Sequence, residues 1–231
     1  MKVTWLGQAG LYFEFDGLSV MIDPYLSDSV GKVNPASHRR VSVDEALFDL
    51  RPDVLVFTHS HLDHYDPETA ERFLRAGKPM TVLAPASVWG EVRKVGCGHN
   101  YVLFDRLTEW TEGPVRFLAV RAVHSDPAAI GVVLENGGKA WYVTGDTLYS
   151  GAIFADLPEK LEAVFLPVNG AGNNMNMTDA ARFVERTGAK AAVPLHIGLF
   201  DALTAADFPC GRKVIPSFYQ PIPLPEPEAE N

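Results

Sequence analysis

The stretch Thr58-His59-Ser60-His61-Leu62-Asp63-His64-Tyr65 packs three histidines and an aspartate into the spacing H-x-H-x-D-H. That places four potential metal ligands within six positions, more than one tetrahedral ion normally takes from so short a segment. Two ions side by side account for it, and a two-metal site points to metal-assisted hydrolysis. The stretch follows Asp53–Phe57, an apolar run that reads as a buried strand. In extended backbone, residues two apart point the same way, so His59 and His61 aim at one point. Asp63 and His64 come after the chain turns towards the next helix and reach a second point nearby.

Three further ligand types stand directly behind strand-like runs. His124 follows Val115–Val120, Asp146 follows Ala140–Val143, and His196 follows Ala191–Pro194. Each alone reads as a turn or surface residue. Together with the motif they repeat one placement, at the C-terminal end of a buried strand, and so converge on one edge of a sheet structure. His38 and His99 lack this setting and read as surface residues.

The runs around these residues define the architecture. Lys2–Leu6, Leu11–Phe15 and Ser19–Ile22 form a β-meander, with Gly7-Gln8-Ala9-Gly10 and Asp16-Gly17 as turns. The first of these turns lacks the third glycine and the following helix of a dinucleotide loop. Ser42 and Glu45 have capping-box spacing and predict a helix over Val43–Leu50. Asp66-Pro67-Glu68 opens a helix running to about Arg75. A strand over Met80–Leu83 and a helix over Ser87–Val95 follow. The next stretch is mostly β: Tyr101–Phe104, Val115–Val120, Ile130–Leu134 and Ala140–Val143, with Asn136-Gly137 as a hairpin turn between the last two. Ala163–Leu166 is a strand, Thr178–Thr187 a helix capped by its threonine, and Ala191–Pro194 the last core strand. The order predicts an α/β protein of two mixed sheets packed face to face, with helices outside. Residues 1–215 form one domain. The stretch 216–231, with Pro216, Pro221, Pro223, Pro225 and Pro227, reads as an extended or disordered tail.

The 231 residues are 47% hydrophobic and 21% charged, ordinary for a globular chain. A net charge of −9 argues against a nucleic-acid partner. Cys97 and Cys210 make no disulfide framework and suit a reducing compartment. The amino-terminal residues run straight into a strand with no leader pattern, and no apolar run is long enough to span a bilayer. Both point to the cytoplasm. Assembly into a homo-oligomer is left open by the sequence.

The ordered set Asp23, His59-x-His61-x-Asp63-His64, His124, Asp146 and His196 resembles the metallo-β-lactamase-fold superfamily of hydrolases, over residues 1 to about 200. The resemblance implies an αββα sandwich with a binuclear site at one edge. It implies that His59, His61 and His124 hold the first ion, that Asp63, His64 and His196 hold the second, and that Asp146 bridges them. Asp23 would orient a ligand histidine from behind. Two divalent ions would generate a bridging hydroxide that attacks carbonyl carbon or phosphorus, with Asp63 holding the proton. Zinc suits the ligand set best, and manganese or iron also accept it. Flavodiiron redox relatives carry a glutamate where His61 stands, which disfavours an iron redox role.

Within the superfamily, Thr4–Gly10, Ile22–Ser29 and His61–Thr69 resemble the branch that contains ascorbate-6-phosphate lactonases. A weaker resemblance is to the N-acyl-phosphatidylethanolamine phospholipase D group. The first implies a small lactone or phosphorylated sugar-acid substrate, the second a phosphodiester. Arg39 and Arg40, with Lys32 nearby, are the candidate anion contacts, because a guanidinium binds two phosphate oxygens at once. Asn169, Asn173 and Asn174, in the loop behind Ala163–Leu166, are candidates for hydrogen bonds to a hydroxylated substrate.

Overall fold

The computed structural model describes residues 1–75 and 78–225. Twelve strands form two six-stranded sheets. The first holds β1 (Lys2–Gly7), β2 (Gly10–Phe15), β3 (Leu18–Ile22), β4 (Val54–Val56), β5 (Thr81–Ala84) and β6 (Asn100–Leu103), side by side in that order. The second holds β7 (Glu109–Glu112), β8 (Val115–Arg121), β9 (Ile130–Asn136), β10 (Lys139–Val143), β11 (Ala163–Pro167) and β12 (Ala191–Leu195), also in sequence order. Each sheet is mixed. Strands β1 to β3 pair antiparallel and β3 to β6 parallel, while β7 to β10 pair antiparallel and β10 to β12 parallel.

The two-residue period of the strands builds three cores. Val132 and Leu134 of β9 face the other sheet and join Phe13, Val56 and Phe165 in the central core, while Val133 faces outward. Phe13 and Phe165 meet edge to face across the sheets, with centroids 5.4 Å apart. The outer face of the first sheet is covered by α2 (Pro67–Leu74) and α3 (Ala86–Val92), that of the second by α4 (Met177–Thr187). Layers therefore stack α, β, β, α. A one-and-a-half-turn helix, α1 (Ser29–Val33), sits in the long connection after β3. No helix among the described residues is long and apolar enough to cross a membrane.

Helix starts follow local chemistry. Asp66 caps α2 by accepting from the N–H groups of Glu68 and Thr69, with Pro67 in the first helical position. Three sequence expectations are corrected. Residues 43–50 do not form an α-helix. They hold a 3₁₀ turn, Glu45–Asp49, capped by Asp44 rather than Ser42. The cap of α4 is Asn176, whose Oδ1 accepts from Asp179 N at 2.9 Å, not the threonine. Strand β7 went unread because Glu109-Trp110-Thr111-Glu112 is short and polar, and at the sheet edge none of its residues is fully buried.

The chain beyond β12 runs extended through its described part. Ala192 N donates to Arg212 O and Val214 N to Ala192 O, which covers the free edge of β12. Tyr219 N then donates to Trp5 O, Trp5 N to Gln220 O, and Ile222 N to Val3 O, which covers the free edge of β1. One strap thus satisfies the exposed backbone of an edge strand in each sheet. Ile222 is buried in the central core, and Phe218 stacks on Trp5 at 4.2 Å.

Candidate metal centre

Parallel pairing brings the C-terminal ends of β3, β4, β10, β11 and β12 to one edge of the sandwich, and β8 runs the same way as β10. Asp23 follows β3, the histidine motif follows β4, His124 follows β8, Asp146 follows β10 and His196 follows β12. The structure brings one ligand atom each from His59, His61, His124 and Asp146 within 4.8 Å of one another, and does the same for Asp63, His64 and His196. The Asp146 carboxylate faces both groups. Its Oδ1 lies 3.2 Å from His64 Nε2, and its Oδ2 lies 3.3 Å from His196 Nε2 and 4.0 Å from His124 Nε2.

The outer ring nitrogens are occupied, which turns the inner ones towards a common centre. His64 Nδ1 lies 2.7 Å from Asp23 Oδ2, His59 Nδ1 3.1 Å from Thr58 Oγ1, and His124 Nδ1 3.3 Å from the Asn173 carbonyl. Asp23 is itself fixed by the N–H and hydroxyl of Thr58. Asp126 holds the motif loop by accepting from Ser60 N and Ser60 Oγ. Backbone strain gathers here as well. Gln8, Asp23 and His196 all have positive φ, a conformation that costs a non-glycine residue energy and persists where surrounding contacts impose it. Gly145 also has positive φ, and a Cβ there would come within 2.7 Å of the Ile130 carbonyl, so a glycine must precede Asp146.

Electrostatics and hydrogen bonding both fit a cation. Burial and the imidazole of His64 drive His59 down to about 2. Against the opposing effect of burial, Asp146 and Asp63 raise His196 to about 10, and Asp146 and Asp23 raise His64. His59 Nε2 and Asp146 Oδ1 are buried with no hydrogen-bond partner. His61 Nδ1 and His124 Nε2 lie 3.0 Å apart, and His64 Nε2 and His196 Nε2 3.3 Å apart. Buried polar atoms normally find partners. Imidazole nitrogens and carboxylate oxygens aimed at one another in this way are the donor set of divalent zinc, manganese or iron.

Residues 19–197 match the model of the beta-lactamase superfamily domain. A UPF0173 metal-dependent hydrolase of Ligilactobacillus salivarius is 30% identical over 210 residues, spanning 87% of this chain and 86% of its own. The chain belongs to the UPF0173 metal-dependent hydrolase family of the beta-lactamase superfamily. A second relative bearing that family name, from Exiguobacterium, is 28% identical over 224 residues. Among solved structures, the chain is similar in fold to an isothiocyanate hydrolase from Delia radicum gut bacteria, with a TM-score of 0.74, 22% identity, and coverage of 96% of this chain and 98% of the other. It is also similar to a metallo hydrolase of Ignicoccus hospitalis, with a TM-score of 0.69, 20% identity, and coverage of 85% and 82%.

In this family member the substrate contacts expected from sequence are placed differently. Arg39 is spent on the fold. Four of its N–H groups point to the carbonyls of Val41, Tyr25 and Ser27 and to the Tyr219 hydroxyl, and its guanidinium lies over the Tyr25 ring. Lys32 pairs with Glu68 at 2.6 Å. Asn174 is buried, with Nδ2 donating to Asp146 Oδ2 and Oδ1 accepting from Thr147 N. Asn169 Nδ2 lies 3.0 Å from His196 Nδ1, and Asn173 contributes its carbonyl to His124. The three asparagines therefore position His196, His124 and Asp146. Arg40 is exposed, and its side chain has no partner among the described residues. Its N–H donates to the carbonyl of Leu199, in the loop behind His196.

Gln8 is the residue that sequence reasoning missed. It is buried, its Nε2 donates to Asp63 Oδ2 at 2.8 Å and lies 2.9 Å from His196 Nδ1, and its carbonyl accepts from His196 N. In the sequence it reads only as part of a glycine-flanked turn. The available signal was that a large amide side chain is an odd choice for a tight turn that glycine would satisfy. Groups that hold metal ligands typically contribute ~10- to 100-fold in metal affinity or activity. Gln8→Ala is accordingly expected to weaken metal retention by roughly that factor, read by competition with a chelator, while the circular dichroism spectrum stays unchanged. Metal retention equal to the parent would remove Gln8 from the centre's support.

Proposed function

We propose that this chain is a binuclear metal-dependent hydrolase acting on a lactone or related ester of a small anionic metabolite. The observation that carries the proposal is Asp146, one carboxylate facing two separate groups of ligands. His59, His61 and His124 would hold one ion, Asp63, His64 and His196 the other, and Asp146 both. Bound ions would supply a nucleophile at neutral pH and polarise the scissile carbonyl.

The protein's own groups do the rest. Asp63 is the ligand carboxylate most open to solvent, with a side chain 17% exposed against 4% for Asp146. Its Oδ2, already bonded to Gln8 and 3.0 Å from His196 Nε2, is placed to take the proton of the attacking water and return it to the leaving oxygen. Asp146 stays ionised, because His196 and His64 hold its carboxyl well below the usual range despite burial. Arg40, on the loop beside Leu199, supplies the charge for a substrate carboxylate or phosphate. The resemblance to ascorbate-6-phosphate lactonases supports the lactone.

The test is metal content by plasma mass spectrometry on protein purified without added metal, beside His61→Ala, followed by assay on a lactone panel and a bis-phosphoester. Two equivalents of metal, falling in the variant, with turnover of lactones, is the expected result. Turnover of the phosphoester alone would move the assignment to a phosphodiesterase. Failure to take up zinc, manganese or iron would overturn it.

A further inference from the structure

At the opposite end of the sandwich from the metal centre, the N-terminal ends of β1, β10, β11 and β12 surround a cavity of about 900 Å³. That lies within the size range of pockets that bury small organic ligands. Its floor is apolar. Val3, Trp141 and Ile222 belong to the central core, and Leu224 packs against them. Two features of the lining are unusual. Trp141 is only 6% exposed, yet its indole N–H has no hydrogen-bond partner among the described residues. The other three tryptophans donate, Trp5 to Gln8 O, Trp89 to Tyr101 O and Trp110 to Glu112 Oε2. The Trp141 nitrogen itself reaches solvent at the cavity wall, so the N–H is free for an acceptor brought by a ligand. At the mouth, Lys2 pairs with Glu14 and Lys190 with Glu162, whereas Lys139 makes no ion pair among the described residues.

We infer that this cavity binds an amphipathic organic carboxylate, with its hydrocarbon body on Pro223, Leu224 and Pro225 and its carboxylate accepting from Trp141 Nε1–H and Lys139 Nζ. One acceptor then serves both donors, and the accessible apolar wall of Pro223, Leu224 and Pro225 is covered by the attached chain. A charged donor makes the stronger hydrogen bond of the two. The site is independent of the hydrolytic assignment, since none of its lining residues belongs to the candidate ligand groups.

Sodium octanoate is the probe, titrated into the full chain with the indole ¹⁵N–¹H resonances observed and calorimetry run in parallel. The Trp141 resonance, identified by its loss in Trp141→Phe, is expected to shift saturably. Lys139→Ala is expected to weaken binding about tenfold, as a lost charge-assisted hydrogen bond of about 1.5 kcal/mol implies. Octanol, with the same body and no charge, is expected to bind weaker by a similar factor. His59→Ala is expected to bind octanoate as the parent does. Lys139→Gln, which keeps the stem on the exposed hairpin, guards against a folding artefact. A Trp141 resonance unmoved to the solubility limit, affinity unchanged in both Lys139 variants, or octanoate binding lost in His59→Ala would each overturn the inference.

Discussion

On the binuclear reading proposed above, Asp146→Ala is expected to abolish turnover and to take the metal content from two equivalents to one or none. The carboxylate is 4% exposed, lies within 3.3 Å of both His64 and His196, and is steadied by Asn174. No neighbouring side chain can replace a group that touches both ligand sets. Lewis-acid stabilisation of a transition state is worth several kcal/mol, and each 1.36 kcal/mol is tenfold in rate, so kcat/KM should fall by roughly a thousandfold or more. The metal-free protein should suffer as well. Removing one partner from a buried charge pair costs about 3–5 kcal/mol, because the remaining charge is left without compensation. Metal analysis, steady-state kinetics and urea unfolding of the metal-free form separate the two effects. A variant that keeps two metals and near-parental rate would show that the two ligand groups do not share this carboxylate.

Ile222→Ala should have the largest effect on stability of any single change in the chain's last described stretch. Ile222 is 6% exposed, is part of the core between the sheets, and its N–H anchors the strap to Val3. Large-to-small changes at such sites cost about 2–5 kcal/mol, from lost burial and the cavity left behind. For a chain of this size that corresponds to a fall in melting temperature of roughly 4–20 °C. Thermal unfolding checks it, with Ile215→Ala as the comparison, since Ile215 is 50% exposed and should change little. Equal melting temperatures for the two variants would mean that the strap is not part of the cooperative unit.

Much of the fold and of the His/Asp cluster is legible in the sequence because the strands are written as short apolar runs between turn residues and the candidate ligands follow them at the same end. Val54–Val56 and Ala191–Leu195 are apolar throughout, as strands buried on both faces must be. Proline and an aspartate cap marked the start of α2. What the sequence hid was decided by tertiary contact. Arg39 reads as a loop cation, and only the positions of Tyr25, Ser27 and Tyr219 show that its donors are consumed. Asn169, Asn173 and Asn174 look alike in sequence, and their partners across the edge give each a different task. Ser42 and Asp44 are both competent caps, and a short polar segment offers nothing to choose between them. The strap's prolines read as an extended or disordered tail, and its pairing with β1 is hidden because it joins residues about two hundred positions apart.

That last contact sets an order of events during synthesis. Phe218 lies against the positions a Cβ would take on Gly7 and on Gly198, the residues flanking the turn of Gln8 and the loop of His196. Gly7 is made roughly two hundred residues ahead of Phe218. Every histidine of the cluster, His196 included, is therefore made before the ring that braces the two loops. Contacts of such long sequence range form slowly. The brace on both loops is therefore available only once the chain has been made as far as Phe218, after every residue of the cluster is already in place along it.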